Sequence, residues 1–357
     1  MSIGPFIVLI PFFIVALLDA TMTARYARGQ VLESKSAAGN PPVSVIVAAY
    51  NAQDTIADTV RSIVDCGLGL ESEIIIVDDG STDNTPRALR GLDDKRVLVV
   101  HEKHRGKWSA LNKGVSLARH ERVVMVDADT IVERGSVQLL ASRLEGCDAV
   151  AGNLIVKSEG PIIVGIQAQE HIRISMYRRA DMSVDTVSGA FAAFRNEILE
   201  KVPFNDSIVE DFEHTARMRK EGAKICYEPG ARAHTSMPNT LREYLEQRVR
   251  WARGTFSEMG RMGMPLKGLA RGYFISILDV SVVPLALIFG RWDALASLFL
   301  VEAFVQSYGA YKEGAGLSLG SVLFLPILVF LALMHLLLGL DATIKGYDSN
   351  DNLSPYL

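Results

Sequence analysis

Asp127-Ala128-Asp129 follows the apolar run Arg122–Val126 (RVVMV), and these two carboxylates are the sharpest chemical feature of the chain. In an extended segment residues i and i+2 point the same way, so both carboxylates can face one divalent cation. Few, hard oxygen ligands suit Mg2+ or Mn2+, with the remaining positions filled by phosphate and water. Placed after an apolar strand, the pair points to binding of a nucleoside diphosphate. Asp78-Asp79 closes a second apolar run, Glu73–Val77 (EIIIV), and Glu210-Asp211 opens the acidic stretch EDFEHTARM. A helix N-cap accounts for one carboxylate at a strand end, not for two. The macrodipole favours acids at a helix start, which is compatible with a chemical role for Glu210 and Asp211. Gln247, Arg250 and Trp251 fall at i, i+3 and i+4, on one helix face, and the guanidinium of Arg250 can grip phosphate oxygens by two donors. No GxxxxGK[ST] or GxGxxG is present, which excludes a P-loop and a dinucleotide fingerprint. The histidines show no metal-ligand spacing, and His234 reads as a packed or surface residue in preference to one that approaches the metal or diphosphate.

The elements that must position these residues alternate. Val43–Ala48 (VSVIVA), Glu73–Val77, Val97–His101 and Arg122–Val126 read as short buried strands. Ala52–Asp65, Thr85–Gly91 and Lys107–Arg119 carry helical spacing, and a strand-like FAAF run follows Ser188-Gly189-Ala190. This alternation predicts an α/β, Rossmann-like domain with a mostly parallel sheet covered on both faces. In such sheets ligands sit outside the carboxyl ends of the strands, where the acidic pairs lie.

The chain has 357 residues, 49% hydrophobic and 22% charged, with a net charge of −4, which argues against a nucleic-acid binder. Its apolar residues gather at the two ends. Ile3–Leu18 lacks any charge and is followed, not preceded, by Arg25 and Arg28. That order favours a retained anchor over a signal peptide, with the N-terminus outside and the central domain cytoplasmic. Phe274–Gly290, Ala294–Tyr311 and Leu317–Leu340 are three further candidate spans. The expected organisation is a transmembrane helix over 1–24, a linker over 25–42 and a catalytic domain over 43–245. Interfacial amphipathic helices carrying several arginines follow over 246–272, then spans over 273–340 and a tail over 341–357 that ends outside. Asp279 and Glu302 fall within spans, where they either line a polar path or lie near the interface. Cys66, Cys147 and Cys226 are odd in number, far apart and without a CxxC pair. Neither a zinc site nor a disulfide is therefore expected, and a reducing compartment is.

Taken in order, VSVIVAAYN (43–51), IIIVDDGSTD (74–83), GKWSALNKG (106–114), VVMVDADT (123–130), VED (209–211) and QRVRW (247–251) resemble the membrane-bound family 2 glycosyltransferases of GT-A fold. The resemblance is to the processive branch with D, DxD, [T]ED and QxxRW motifs, which includes cellulose, chitin, hyaluronan and poly-N-acetylglucosamine synthases. It covers about residues 41–260 and implies a UDP-sugar donor. By this resemblance Asp78 or Asp79 reads the uracil, with Asp78 favoured, Ala49 and Tyr50 line the base, and Lys107 approaches the diphosphate or the base. Asp127 and Asp129 position Mg2+ or Mn2+. Glu210-Asp211 supplies the general base, Asp211, that an acceptor hydroxyl needs, and the product is inverted. Val209 stands where the family usually has Thr, which removes a hydroxyl and leaves the acids. Gln247, Arg250 and Trp251 serve the diphosphate and a sugar ring of the acceptor, and Ser188 and Gly189 resemble a stretch lining the acceptor cleft. The implied product is a β-linked polysaccharide or oligosaccharide made from UDP-N-acetylglucosamine or UDP-glucose, with export through the spans. A homo-oligomer would add wall to a four-helix channel. Transfer of one sugar to a lipid acceptor, such as a polyprenyl phosphate, and an inactive membrane scaffold are the alternatives.

Overall fold

The computed structural model describes residues 17, 20–27, 40–156, 160–181, 184–263, 286 and 288–313. The spans expected at Ile3–Leu18, Phe274–Gly290 and Leu317–Leu340, Asp279 and the tail fall wholly or for the most part outside these residues, as do residues 28–39 of the linker. By internal contacts the chain divides into two compact units, one of residues 29–156 and 181–236 and one of 1–28, 157–180 and 237–357.

The first unit is built on a single sheet. Its strands are β1 (Ser44–Ala49), β2 (Glu73–Asp78), β3 (Val97–His101), β4 (Arg122–Val126), β5 (Thr130–Val132), β6 (Ala149–Ile155), β7 (Phe191–Arg195) and β8 (Ile225–Thr235). They lie in the order β3-β2-β1-β4-β7-β6-β8-β5. Pairing is parallel from β3 through β4 and again between β6 and β8, while β7 runs antiparallel to both neighbours and β5 antiparallel to β8. The pleat sorts the continuous apolar runs onto two cores. Val45, Val47, Ile74, Ile76 and Val124 face one cluster, and Ile46, Val123 and Met125 face another. Burial on both faces is why the strands read as unbroken β-branched runs.

Helix α1 (Ile56–Asp65) buries Ile56, Thr59, Val60 and Ile63 at helical spacing. It starts four residues later than the spacing suggests. Asn51 sits at φ +49°, and a turn from Ala52 to Thr55, closed by a 3.1 Å hydrogen bond, precedes the first helical residue. After α2 (Thr85–Arg90), helix α3 (Lys107–Leu117) crosses the opposite sheet face, with Gly114 against Ile46. A side chain there would collide with Ile46, so Gly114 serves close helix–strand approach. Helix α4 (Ser136–Arg143) covers β8, and α6 (Asn196–Lys201) and α7 (Glu210–Lys220) complete the unit after the intervening α5 (Ile162–Asp181).

One expectation fails here. Cys147 and Cys226 form a disulfide with Cα atoms 6.1 Å apart. They are 79 residues apart in sequence, and the parallel pairing of β6 with β8, which sets Val150 opposite Cys226, brings them together. Spacing in the sequence carries no trace of that neighbourhood. Cys66 is free and buried, and burial pushes its thiol up to about 11.

The second unit is helical. It contains helical residues 20–27, α5 (Ile162–Asp181, up to Ala180), α8 (Leu241–Arg261) and α9 (Trp292–Glu313). Tyr26, Ile172, Met176, Val305 and Ala310 form one core, and Ile163, Ile166 and Tyr244 another. Thr240 caps α8 by accepting from the Glu243 N–H at 3.2 Å. The stretch Ala294–Tyr311 lies in α9 as a helix. Among the described residues, however, no helix is long and apolar enough to cross a membrane.

Candidate active site

The carboxyl ends of β1, β2 and β4 open onto a cleft of about 390 Å³, lined by Ala49, Tyr50, Asp79, Lys107, Asp127 and Asp129 among others. The parallel register sets Ala49 opposite Asp78, so β1 and β2 stop together and deliver their last residues to one edge. Asp78 and Asp79 part ways there. Asp78 accepts from His101 Nδ1 at 2.8 Å and from the Ser81 N–H at 3.1 Å, and it does not line the cleft. Asp79 lines the cleft while its oxygens accept the Arg105 and Gly106 N–H groups, each at 2.9 Å. The cleft-facing acid is therefore the second of the pair rather than the favoured Asp78. Gly80 makes the turn between them and the next loop. Its φ is +72°, and a Cβ there would lie 2.6 Å from the His104 backbone nitrogen.

Asp127 and Asp129 do not sit on extended backbone. The Thr130 N–H donates to the Asp127 carbonyl at 3.1 Å, closing a turn between β4 and β5. The turn, not the strand pleat, brings both carboxylates to the cleft. Thr55, just before α1, and Thr59 within it hold the turn from beneath, donating to the Ala128 carbonyl at 2.8 and 3.0 Å. Burial, and then the charge of Asp127, raise the Asp129 carboxyl above the usual carboxylate range. Among the described residues no group of three or more His, Cys, Asp or Glu side chains could hold a metal. Two hard oxygen donors with mutual repulsion nevertheless suit a divalent cation whose other ligands come from phosphate and water.

Lys107, the first residue of α3, reaches Asp127 at 2.8 Å and Glu210 at 3.0 Å. Burial opposes its charge, but the two carboxylates outweigh it and push the ammonium above the usual lysine range. Glu210 and Asp211 begin α7. Asp211 Oδ1 accepts the Phe212 N–H at 2.7 Å. Burial, then the Glu210 charge, push the Asp211 carboxyl up to about 6. Lys107 and Asp127 act on it as well, which places Asp211 electrostatically within the same cluster. Gly189 lies beside Lys107, a Cβ there being 3.6 Å from the ammonium, and Ser188 Oγ accepts the Ala190 N–H at 3.3 Å.

Gln247, Arg250 and Trp251 lie on α8, in the helical unit. Arg250 is exposed, Trp251 is half-buried, and the Gln247 side-chain oxygen is buried without a hydrogen-bond partner. His234 donates to Glu133 at 2.8 Å, consistent with a packed residue.

Sequence reasoning missed His104, which lines the cleft. Its ring stacks on Tyr50 with centroids 4.1 Å apart and planes at 20°, and Nδ1 lies 2.9 Å from Asp79. A search for ligand spacing passes over it. Its position after the carboxyl end of β3 is the signal that could have found it.

Comparison with known proteins bears on the family and the fold. Residues 41–254 match the family described as glycosyltransferase-like family 2. A poly-beta-1,6-N-acetyl-D-glucosamine synthase of Staphylococcus aureus is 33% identical over 265 residues, covering 69% of this chain and 64% of that protein. One from Staphylococcus epidermidis is 31% identical over 223 residues, covering 59% and 54%. The chain thus spans less than two thirds of these relatives' length. Among solved structures, a mannosyltransferase of Pyrobaculum calidifontis in complex with GDP-Man and Mn2+ superposes with a TM-score of 0.56 at 20% identity. It covers 91% of this chain and 99% of its own, a likeness of fold.

Proposed function

The chain belongs to glycosyltransferase family 2, and from that premise we propose that it is an inverting transferase that extends a β-linked polysaccharide from a UDP-sugar. The observation that carries this reading is the convergence of Lys107, Asp127, Glu210 and Asp211 at one sheet edge. N-acetylglucosamine is the sugar favoured, because the curated relatives are named as poly-beta-1,6-N-acetyl-D-glucosamine synthases.

In this reading the stacked Tyr50–His104 pair and Asp79 meet the nucleobase, and Lys107 meets the diphosphate. Asp127 and Asp129 would hold Mg2+ or Mn2+, which supplies charge neutralisation for the departing diphosphate. Asp211 accepts the proton of the acceptor hydroxyl. The hydroxyl oxygen bonds to the anomeric carbon as the bond from that carbon to the phosphate oxygen breaks, and the electron pair leaves with UDP. A carboxylate pushed up to about 6 is a stronger base than an ordinary one and is still ionised at pH 7. Attack opposite the leaving group converts an α-linked donor into a β-linkage. The apolar stretches at the two ends support membrane anchoring with a cytoplasmic catalytic unit.

The test uses membranes containing the full chain, Mg2+ or Mn2+, and a panel of radiolabelled UDP-sugars, with products resolved by size and by organic extraction. A ladder or large polymer from UDP-N-acetylglucosamine is expected. A single extractable glycolipid would overturn polymer synthesis, and no labelled product from any donor would overturn transfer itself.

A further inference from the structure

Arg248 lies inside the QRVRW segment, between Gln247 and Arg250, and its surroundings are unlike those of the exposed Arg250. Its side chain is 7% exposed. The guanidinium is gripped by Glu170 of α5 through two parallel bonds, Nη1 to Oε1 at 2.9 Å and Nη2 to Oε2 at 2.6 Å. The guanidinium carbon also lies 4.9 Å from the centre of the Tyr244 ring and 4.7 Å from that of Trp251. Tyr244, Arg248 and Trp251 are i, i+4 and i+7, a single face of α8.

A buried ion pair contributes little net stability, because desolvation offsets its attraction. What a forked carboxylate–guanidinium pair contributes is orientation. The guanidinium plane is fixed by two bonds at its edge, and its faces then fix whatever aromatic ring stacks on them. Tyr244 is itself anchored, being 1% exposed and packed with Ile163 and Ile166 of α5. Trp251, half-buried, has its ring centre 4.7 Å from the same guanidinium carbon.

We propose that Glu170 and Arg248 are positioning residues that hold the Trp251 indole in the orientation in which it receives a sugar ring of the acceptor. The proposal rests on the reading of Trp251 as an acceptor surface. Lysine cannot replace Arg248, since an ammonium has neither the fork nor the plane.

The test uses Glu170→Gln, Arg248→Lys and the volume-conserving pair Glu170→Met/Arg248→Met, which removes both charges and retains packing. Trp251 emission is read in full-length protein carrying Trp108→Phe and Trp292→Phe, leaving one tryptophan. Kinetics are read without those background changes, using UDP-N-acetylglucosamine and a β-linked N-acetylglucosamine tetramer. The expected result is a shifted emission maximum and an acceptor KM raised about tenfold, with donor KM unchanged, in all three variants that retain a cooperative melt. Unchanged emission overturns the device. Shifted emission with unchanged acceptor KM overturns the acceptor role of Trp251 and the proposal with it, while leaving donor chemistry at the strand ends untouched.

Discussion

Lys107 joins Glu210 across 3.0 Å while its ammonium also pairs with Asp127 at 2.8 Å, so one cation ties the turn after β4 to the start of α7. The same cation stands among carboxylates that would otherwise repel. Burial and the Glu210 charge raise Asp211, and Lys107 counters part of that rise. Its removal therefore acts on both halves of the site.

Lys107→Met is expected to lower kcat/KM by about 100-fold, the scale of losing one preorganised donor to developing charge, and to weaken UDP-sugar binding. Steady-state kinetics with titration calorimetry checks both. Undiminished donor affinity would remove Lys107 from the diphosphate.

Activity should rise with pH through an acid limb near 6, because Asp211 below its value of about 6 retains its proton and cannot accept another. The sign for stability is opposite. Between the ordinary 3.8 and about 6 the native state binds more protons than the unfolded chain, so this group's contribution falls as pH rises. Asp211→Asn should thus be at least as stable as the parent at pH 7, and thermal melts compared at pH 5 and 7 measure it.

His214 gives the contrary slope. It is buried on α7, its Nε2 N–H donates to the Val202 carbonyl at 2.7 Å, and it stacks on Phe204 at 3.9 Å. Burial lowers it from 6.5 to about 4, so the unfolded chain binds the proton first as pH falls. Stability from this group is complete above 6.5 and is lost as pH drops toward 4, by about 3 kcal/mol in total. Denaturant melts of His214→Phe across that range should show a flatter pH dependence.

Chelation is expected to abolish transfer, and Asp127→Asn or Asp129→Asn to weaken Mn2+-dependent UDP binding by at least about tenfold. Binding of UDP measured with and without Mn2+ decides this without relying on turnover. Thr59→Val, which removes a 3.0 Å bond to the Ala128 carbonyl, should cost about 1 kcal/mol and disturb the same turn. Its denaturant midpoint and Mn2+ dependence would report both effects.

The strand ends were legible because β-branched runs such as EIIIV, buried on both faces, stop abruptly on carboxylates. The turn that aims Asp127 and Asp129 was not, since DADT carries no glycine or proline to mark a turn, and the strand β5 that follows it pairs with β8 about 100 residues on. The Cys147–Cys226 pair was hidden for the same reason. The division between Asp78 and Asp79 was hidden too. Adjacent carboxylates look alike in sequence, and only the backbone N–H groups of Arg105 and Gly106 and the ring of His101 tell them apart. Arg248 was one of several arginines in the expected interfacial helices, with nothing to single it out, because its partner Glu170 lies 78 residues earlier on another helix.

The most direct measurement is of Asp211→Asn in membranes, comparing UDP-N-acetylglucosamine binding with labelled product formation. With Asp211 as the base, donor binding is retained and transfer falls by about 100-fold or more. Full transfer activity in that variant would contradict the account.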